Sequence, residues 1–195
     1  NPEYASAVEK GIPMLTRAQL LGQIMRNYDT PIAVSGTHGK TTTTSMISQI
    51  LLEADADPTI SVGGILPSIG GNIRVGQSET FVTEACEYTN SFLSFFPKIS
   101  VILNIDADHL DFFKDIDDIR HSFRKFAQLL PADGALIINA DTPHYQDIIK
   151  DLSCKIITYG LEHEAQYQAT DITYDKYGHA SFTVLKDGRK AGSFY

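Results

Sequence analysis

Short apolar runs alternate with helix-length stripes of apolar positions through the middle of the chain. Between the first two runs, Met46, Ile50 and Ala54 repeat at the spacing of a helix. The alternation of strand and helix predicts an α/β fold with a doubly wound, mostly parallel sheet. Five runs are continuous, which is typical of parallel strands buried on both faces: Ile32–Val34, Phe81–Val82, 99–103, 135–138 and 155–159.

Two further helices and a different C-terminal pattern follow from residue 115 onward. Apolar positions from Ile116 to Leu130 form one stripe, with Asp115 as the N-cap, and a shorter helix is predicted over 143–152. Beyond residue 165 the segments are short and alternating, with glycine turns between them. They predict a small antiparallel β meander at the C-terminus, with strands over 166–174, 179–185 and 190–195.

Two segments fall outside this regular pattern. Residues 1–28 carry a single helix face, at 20–25, and we expect them to be an entry segment ahead of one domain over 29–195. The segment Gly63–Gln77 contains five glycines and one proline, which favour an extended or mobile loop over regular structure.

Composition and charge indicate which binding partners and which cellular location to expect. The net charge is -8 and the 16 basic residues are scattered, so no nucleic acid partner is expected. No apolar run approaches the roughly 20 residues of a membrane span, so no membrane association is predicted and a cytoplasmic location is the expectation. The two cysteines, Cys86 and Cys154, show neither a disulfide framework nor a zinc pattern.

A glycine turn joins the first predicted strand to the first long helix. Backbone N–H groups in such a turn, with the positive end of the helix, converge on phosphate oxygens, and glycine lets the backbone approach them. Lys40 would add a charge near the β and γ phosphates of a nucleotide, and the Thr41 hydroxyl would reach a magnesium ion. The competing interpretation is a turn that binds nothing. The segment is Ser35-Gly36-Thr37-His38-Gly39-Lys40-Thr41-Thr42.

Acidic side chains and a histidine follow two of the predicted strands. Glu84 ends the strand that begins at Phe81, and Asp106-Ala107-Asp108-His109 follows the next one. Ligands gather at the carboxyl ends of parallel strands, so Glu84 and His109 are candidates for metal binding and catalysis beside Thr41. Taken singly, each has an ordinary alternative, a solvated acid or a capping histidine. A calcium loop is excluded, because Leu110 and Asp111 stand where an oxygen ligand and a glycine are needed.

With these motifs in view, the chain resembles the Mur ligase family over nearly its whole length. That family's phosphate loop has the form Gly-Thr-x-Gly-Lys-Thr and lacks the first glycine of the full Walker A pattern, which matches Val34 here. The segments Glu84-Ala85-Cys86-Glu87-Tyr88 and 104–111 are similar to two further family motifs. Histidine in the loop resembles the branch that adds L-alanine to UDP-N-acetylmuramate and the related murein-peptide branch.

The resemblance implies an ATP-dependent, magnesium-requiring ligase of peptidoglycan precursor synthesis. Its small-molecule substrates would be UDP-N-acetylmuramate and L-alanine, joined through an acyl phosphate. It implies that Lys40 binds the terminal phosphates, that Thr41 and Glu84 bind a first magnesium ion, and that His109 belongs to a second metal position. Catalytic roles thus fall to Lys40, Glu84 and His109, and nucleotide contacts to Gly36, Thr37, His38, Gly39, Lys40, Thr41 and Thr42.

The resemblance also implies further domains on either side of this one. Residues 1–28 would then connect this domain to an N-terminal UDP-sugar domain, and the amine-binding C-terminal domain would be absent. The chain alone is expected to fold but not to catalyse ligation. Two other functions stay open: attachment of a peptide instead of L-alanine, and a nucleotide-binding module without catalysis. The role of His38 is also open, between a phosphate donor, a general base and a residue that fills the turn.

Overall fold

Ten strands form one continuous sheet in the computed structural model, which describes residues 1–195. The central strands are parallel and the two edges are antiparallel, as predicted for a mostly parallel doubly wound sheet. The strands in chain order are β1 (Thr30–Ser35), β2 (Thr59–Leu66), β3 (Gly71–Arg74), β4 (Thr80–Glu84), β5 (Ile99–Ile102), β6 (Ala135–Asn139), β7 (Lys155–Gly160), β8 (Tyr167–Tyr174), β9 (Ala180–Lys186) and β10 (Arg189–Phe194).

The spatial order of the strands is β10-β9-β8-β7-β6-β5-β1-β4-β2-β3. The first strand therefore lies between β4 and β5, and the chain leaves β1 toward one side of the sheet and later continues on the other side. This is the topological switch point at which α/β sheets bind ligands. The C-terminal strands β8, β9 and β10 form the predicted antiparallel meander.

Five α-helices accompany the sheet. Helix α4 begins where Asp115 accepts hydrogen bonds from the backbone N–H groups of Asp117 and Asp118, as expected of an N-cap. Its buried stripe includes Ile119, Phe123 and Phe126, the spacing predicted from the sequence. The helices are α1 (Pro2–Glu9), α2 (Arg17–Met25), α3 (Lys40–Glu53), α4 (Ile116–Ala127) and α5 (Tyr145–Ile149), with 3₁₀ turns at Pro67–Ile69 and Tyr88–Ser94.

The largest buried cluster joins the sheet, α4 and α2 in one core of 18 residues. Phe92 stacks on Phe126 and meets Phe123 edge-on, with ring centroids 4.6 Å and 5.4 Å away. Met25 at the end of α2 is fully buried in the same cluster. Residues 17–25 thus pack on the domain that follows them, and the proposed boundary at residue 28 stays a prediction.

Two local expectations were wrong. Much of Gly63–Gln77 is not a loop, because the end of β2 and all of β3 pair antiparallel there at the sheet edge, where a strand needs only one partner. The helix expected over 143–152 is limited to Tyr145–Ile149, since His144 and Asp151 adopt left-handed backbone conformations. One helix had no prediction: α1 forms in the polar N-terminal segment, capped by the Asn1 side chain.

The two cysteines and the lengths of the helices bear on the thiol and membrane expectations. Cys86 is exposed and Cys154 is buried, and neither forms a disulfide. Burial raises the pKa of the Cys154 thiol. None of the helices combines the length and the apolar character that crossing a membrane requires.

Candidate functional site

Three adjacent strands end at the same height and bring the predicted site segments together. Val34 of β1 lies opposite Glu84 of β4, and Ser35 of β1 lies opposite Ile102 of β5. The loops that follow β1, β4 and β5 consequently leave the sheet at one edge. Parallel pairing, which the apolar runs predicted, thus places the glycine turn between the two acidic segments.

The glycine turn Gly36–Gly39 has a backbone that only glycine adopts easily. Gly39 has φ +82° and Gly36 has φ +147°, and a Cβ at Gly36 would lie 2.9 Å from the Cβ of Leu103. Helix α3 begins directly afterward at Lys40, and Gly39 as N-cap offers no side chain to its first N–H groups. These free donors and the helix dipole favour negative charge at the start of α3.

Asn104, two residues after the end of β5, fixes the turn. Its Oδ1 accepts from the backbone N–H of His38 at 2.8 Å, and its Nδ2 donates to the His38 carbonyl at 3.1 Å. Thr37 Oγ1 accepts from the N–H of Asp106 at 2.9 Å. These side-chain contacts therefore fix the backbone of the turn. The His38 imidazole is exposed and forms no hydrogen bond, so its role stays open.

Thr41 and Glu84 form the first of two polar pairs. The Thr41 hydroxyl donates to Glu84 Oε2 at 3.0 Å, and Glu84 Oε1 accepts from the backbone N–H of Gly63. No three His, Cys, Asp or Glu side chains are grouped as a metal site. A hydroxyl beside one carboxylate nevertheless fits magnesium, which binds few protein oxygens and completes its shell with phosphate and water. The donor set thus suits a magnesium-nucleotide complex.

Lys40 and Glu87 form the second pair, and the sequence did not single out Glu87 as a site residue. The Lys40 ammonium lies 3.0 Å and 3.1 Å from the two carboxylate oxygens of Glu87, which is only 2% exposed. It also donates to the carbonyls of Gly36 and Thr37 at 2.6 Å and 3.1 Å. Glu87 follows Glu84 by three residues in a predicted motif, but nothing in that spacing indicates that its carboxylate is buried.

His109 lies with the second pair. Its Nε2 is 3.7 Å from Glu87 Oε1, and its ring lies on Tyr88 with centroids 4.6 Å apart. Tyr88 donates to Asp111 Oδ2 at 2.8 Å, and this hydrogen bond raises the pKa of the Tyr88 hydroxyl. Glu84 and His109 therefore belong to the same edge of the sheet but to different pairs, and the metal and catalytic roles given to them stay predictions.

A cleft of about 530 Å³ adjoins the site on one side. It lies between the start of α2 and the segment after β4, and Glu84 and Cys86 line it together with Arg17. Its size is in the range of small-molecule sites. The turn itself is filled by the folded-back Lys40, so the open volume lies beside the turn and shares Glu84 with it.

A separate polar cluster stands at the carboxyl ends of β6 and β7. Burial pushes the pKa of Asp141 upward, but hydrogen bonds from the backbone N–H groups of Leu161, His163 and Glu162 and from the His163 ring outweigh it and lower that pKa. Burial and the nearby Asp141 charge raise the pKa of Tyr159 to about 12. This cluster ties the loop after β7 to the sheet.

Known proteins resemble the chain in both sequence and structure. The family profile described as the Mur ligase middle domain matches residues 34–193. A UDP-N-acetylmuramate--L-alanine ligase from Agathobacter rectalis is 64% identical over 188 residues, which are 96% of this chain and 41% of the relative. The chain therefore spans about two fifths of the length of the curated relatives it matches.

Two solved structures share the fold over almost the whole chain. The UDP-N-acetylmuramate:L-alanyl-gamma-D-glutamyl-meso-diaminopimelate ligase from Neisseria meningitides has a TM-score of 0.84 at 29% identity, covering 97% of this chain and 62% of the other. The UDP-N-acetylmuramate-alanine ligase from Thermotoga maritima has a TM-score of 0.83 at 25% identity, covering 100% and 43%.

Proposed function

Because this chain belongs to the Mur ligase family through its middle domain, we propose that it is the ATP-binding domain of a ligase that joins L-alanine to UDP-N-acetylmuramate. The observation that carries the proposal is the contact of Thr41 with Glu84 at the start of α3, beside the glycine turn. Free N–H groups at the start of α3, a lysine and a hydroxyl–carboxylate pair together suit a magnesium-bound nucleoside triphosphate.

Each residue of the site is proposed to have its own role in phosphoryl transfer. The N–H groups of Gly39 and of the first turn of α3 would bind phosphate oxygens, and Lys40 would approach the terminal phosphates once it leaves Glu87. Thr41 and Glu84 would hold magnesium, which when bound offsets charge on the phosphates. His109 is proposed to serve a second metal position, and Asn104 keeps the turn in place.

The proposed reaction has two chemical steps. The carboxylate of UDP-N-acetylmuramate attacks the γ-phosphorus of ATP, which forms an acyl phosphate and releases ADP. The amine of L-alanine then attacks the acyl carbon, the C–O bond to phosphate breaks, and the amide forms as inorganic phosphate leaves with the proton that the amine loses. We propose that the carboxylate-bearing substrate reaches the phosphates through the cleft lined by Glu84 and Arg17, because Glu84 belongs both to this cleft and to the proposed magnesium site. The reaction is proposed for a polypeptide of the relatives' full length.

A peptide is the alternative acceptor amine. The TM-scores of 0.84 and 0.83 do not separate the peptide-adding and alanine-adding structures. Eight relatives that are 53% to 64% identical to this chain are all UDP-N-acetylmuramate--L-alanine ligases, which favours alanine. A polypeptide of the relatives' length would distinguish them by its rate of phosphate release with each amine.

The phosphate site is tested by calorimetric titration of the 195-residue chain with a non-hydrolysable ATP analogue, with and without magnesium. Thr41→Val keeps the shape of the side chain and removes the hydroxyl, and we expect a loss of about tenfold in affinity with magnesium. Thr43→Val is the matched control, since the Thr43 hydroxyl makes no hydrogen bond in the structure. Equal affinities for Thr41→Val and the parent chain would argue against the proposed magnesium site.

A nucleotide-binding module without catalysis makes a different prediction. It would bind the analogue in the same way but would release no phosphate when UDP-N-acetylmuramate and L-alanine are added to a polypeptide of the relatives' length. A ligase releases one phosphate for each amide formed, and the Thr41→Val change should slow both together. Phosphate release that ignores L-alanine would contradict the ligase proposal.

A further inference from the structure

Two glutamates accept hydrogen bonds from the side chains of Lys40 and Thr41, the first two residues of α3. Glu84 accepts from Thr41, and Glu87 accepts from Lys40. Glu84 is the last residue of β4 and Glu87 follows it by three residues, so one short segment provides the acceptors for both side chains. A nucleotide that enters the turn therefore competes with two carboxylates of the protein.

The Lys40 ammonium has no donor left for a phosphate in this arrangement. An ammonium group carries three N–H donors. The carbonyls of Gly36 and Thr37 and the Glu87 carboxylate supply acceptors for all three, at 2.6 to 3.1 Å. Lys40 thus folds back onto its own turn, and its side chain is only 16% exposed.

Glu87 depends on Lys40 in return. The carboxylate is 2% exposed, and Lys40 is its only hydrogen-bond donor. A buried charge is tolerated only when it is paired, so Glu87 favours the folded-back position of Lys40. An anion at the turn must draw Lys40 away and must also lie near the negative charge that Lys40 leaves behind.

We propose that Glu87 is a positioning residue that holds Lys40 away from the phosphates and makes nucleotide binding depend on magnesium. The ion would offset the charges of Glu84 and of the phosphates, so that Lys40 exchanges Glu87 for phosphate only when the metal arrives with the nucleotide. This inference rests on the proposed function, because it takes the turn to be a triphosphate site.

The hold on Lys40 is tested first without any nucleotide. Lysine acylation by a hydroxysuccinimide ester, followed by mass spectrometry, should modify Lys40 far more slowly than the exposed Lys125. Glu87→Gln removes the charge and keeps the shape, and we expect Lys40 acylation to rise about tenfold relative to Lys125. Glu79→Gln is the matched control, because Glu79 is exposed and lies directly before the first residue of β4, at the end of that strand away from Glu84. Thermal melting of each variant establishes that it is folded.

The magnesium dependence is tested with two probes, a non-hydrolysable ATP analogue and inorganic tripolyphosphate, which needs no adenine site. Without magnesium, Glu87→Gln should bind both about tenfold more tightly than the parent chain, and with magnesium the two should differ much less. A positive result is a smaller ratio of magnesium-bound to magnesium-free affinity, which a purely structural residue would not change. Glu79→Gln should leave the ratio unchanged.

The outcomes separate the two claims. Unchanged Lys40 acylation in Glu87→Gln, or an unchanged or weaker magnesium-free affinity, overturns the role given to Glu87. If neither probe binds the parent chain or the variant at any magnesium concentration, the proposed phosphate site and the magnesium dependence are both wrong. The acylation result would in that case still decide whether Glu87 holds Lys40.

Discussion

The ion pair between Lys40 and Glu87 makes a stability prediction that can be worked from the structure. Lys40→Met keeps the length of the side chain and removes its charge. The Glu87 carboxylate then remains 2% exposed without a hydrogen-bond donor, with only His109 Nε2 nearby at 3.7 Å. Breaking one partner of a buried pair costs about 3 to 5 kcal/mol. Since the Lys40 side chain is 16% exposed, we expect the low end, about 3 kcal/mol.

A loss of this size is easily measured by thermal or urea unfolding. For a chain of this length it corresponds to a decrease in Tm of roughly 6 to 12 °C. The double variant Lys40→Met/Glu87→Gln removes the stranded charge, so it should regain most of the loss. Lys125→Met is the matched control, because Lys125 is exposed and unpaired, and its effect should stay within about 0.5 kcal/mol.

Two results would refute this reasoning. If Lys40→Met melts within about 1 °C of the parent chain, the Glu87 carboxylate is not a buried charge that depends on Lys40. If the double variant is no more stable than Lys40→Met, the loss has another origin, such as the missing hydrogen bonds to the turn carbonyls.

Three further substitutions test other contacts. Gly63→Ala would place a Cβ 2.9 Å from Glu84 Oε2, so magnesium-dependent nucleotide affinity should fall about tenfold by calorimetry, whereas Gly71→Ala, which meets open space, should not change it. The lowered pKa of Asp141 stabilises the fold above the ordinary value of 3.8, so the Tm advantage of the parent chain over Asp141→Asn should shrink as pH falls below that value; a constant advantage would contradict this origin. Gly22→Ala should lower the unfolding midpoint by several degrees, because the new Cβ would lie 2.0 Å from the Ser94 carbonyl oxygen, and this clash outweighs the better helix propensity of alanine. A rise in the midpoint would contradict the packing of α2 on the core.

Most of the sheet could be predicted from the sequence because its signals are local. Continuous apolar runs marked β1, β5, β6 and β7, and the stripe from Ile116 with its Asp115 cap marked α4. The edge pair β2 and β3 was missed, since glycine disfavours a strand locally and only pairing along the sheet edge stabilises one there. The short α5 was overextended for a similar reason, because left-handed residues at His144 and Asp151 limit it and no local pattern announces them.

The candidate site divides along the same line. The residue types of the turn, and the acids and histidine after neighbouring strands, made Lys40, Thr41, Glu84 and His109 candidates from the chain alone, since a phosphate turn has a local pattern. Tertiary structure decided how they pair: Thr41 meets Glu84, while Lys40 meets the buried Glu87 beside His109. Burial and pairing arise only when β4 and β5 align on either side of β1, and a charge that depends on such a contact carries no mark in the sequence.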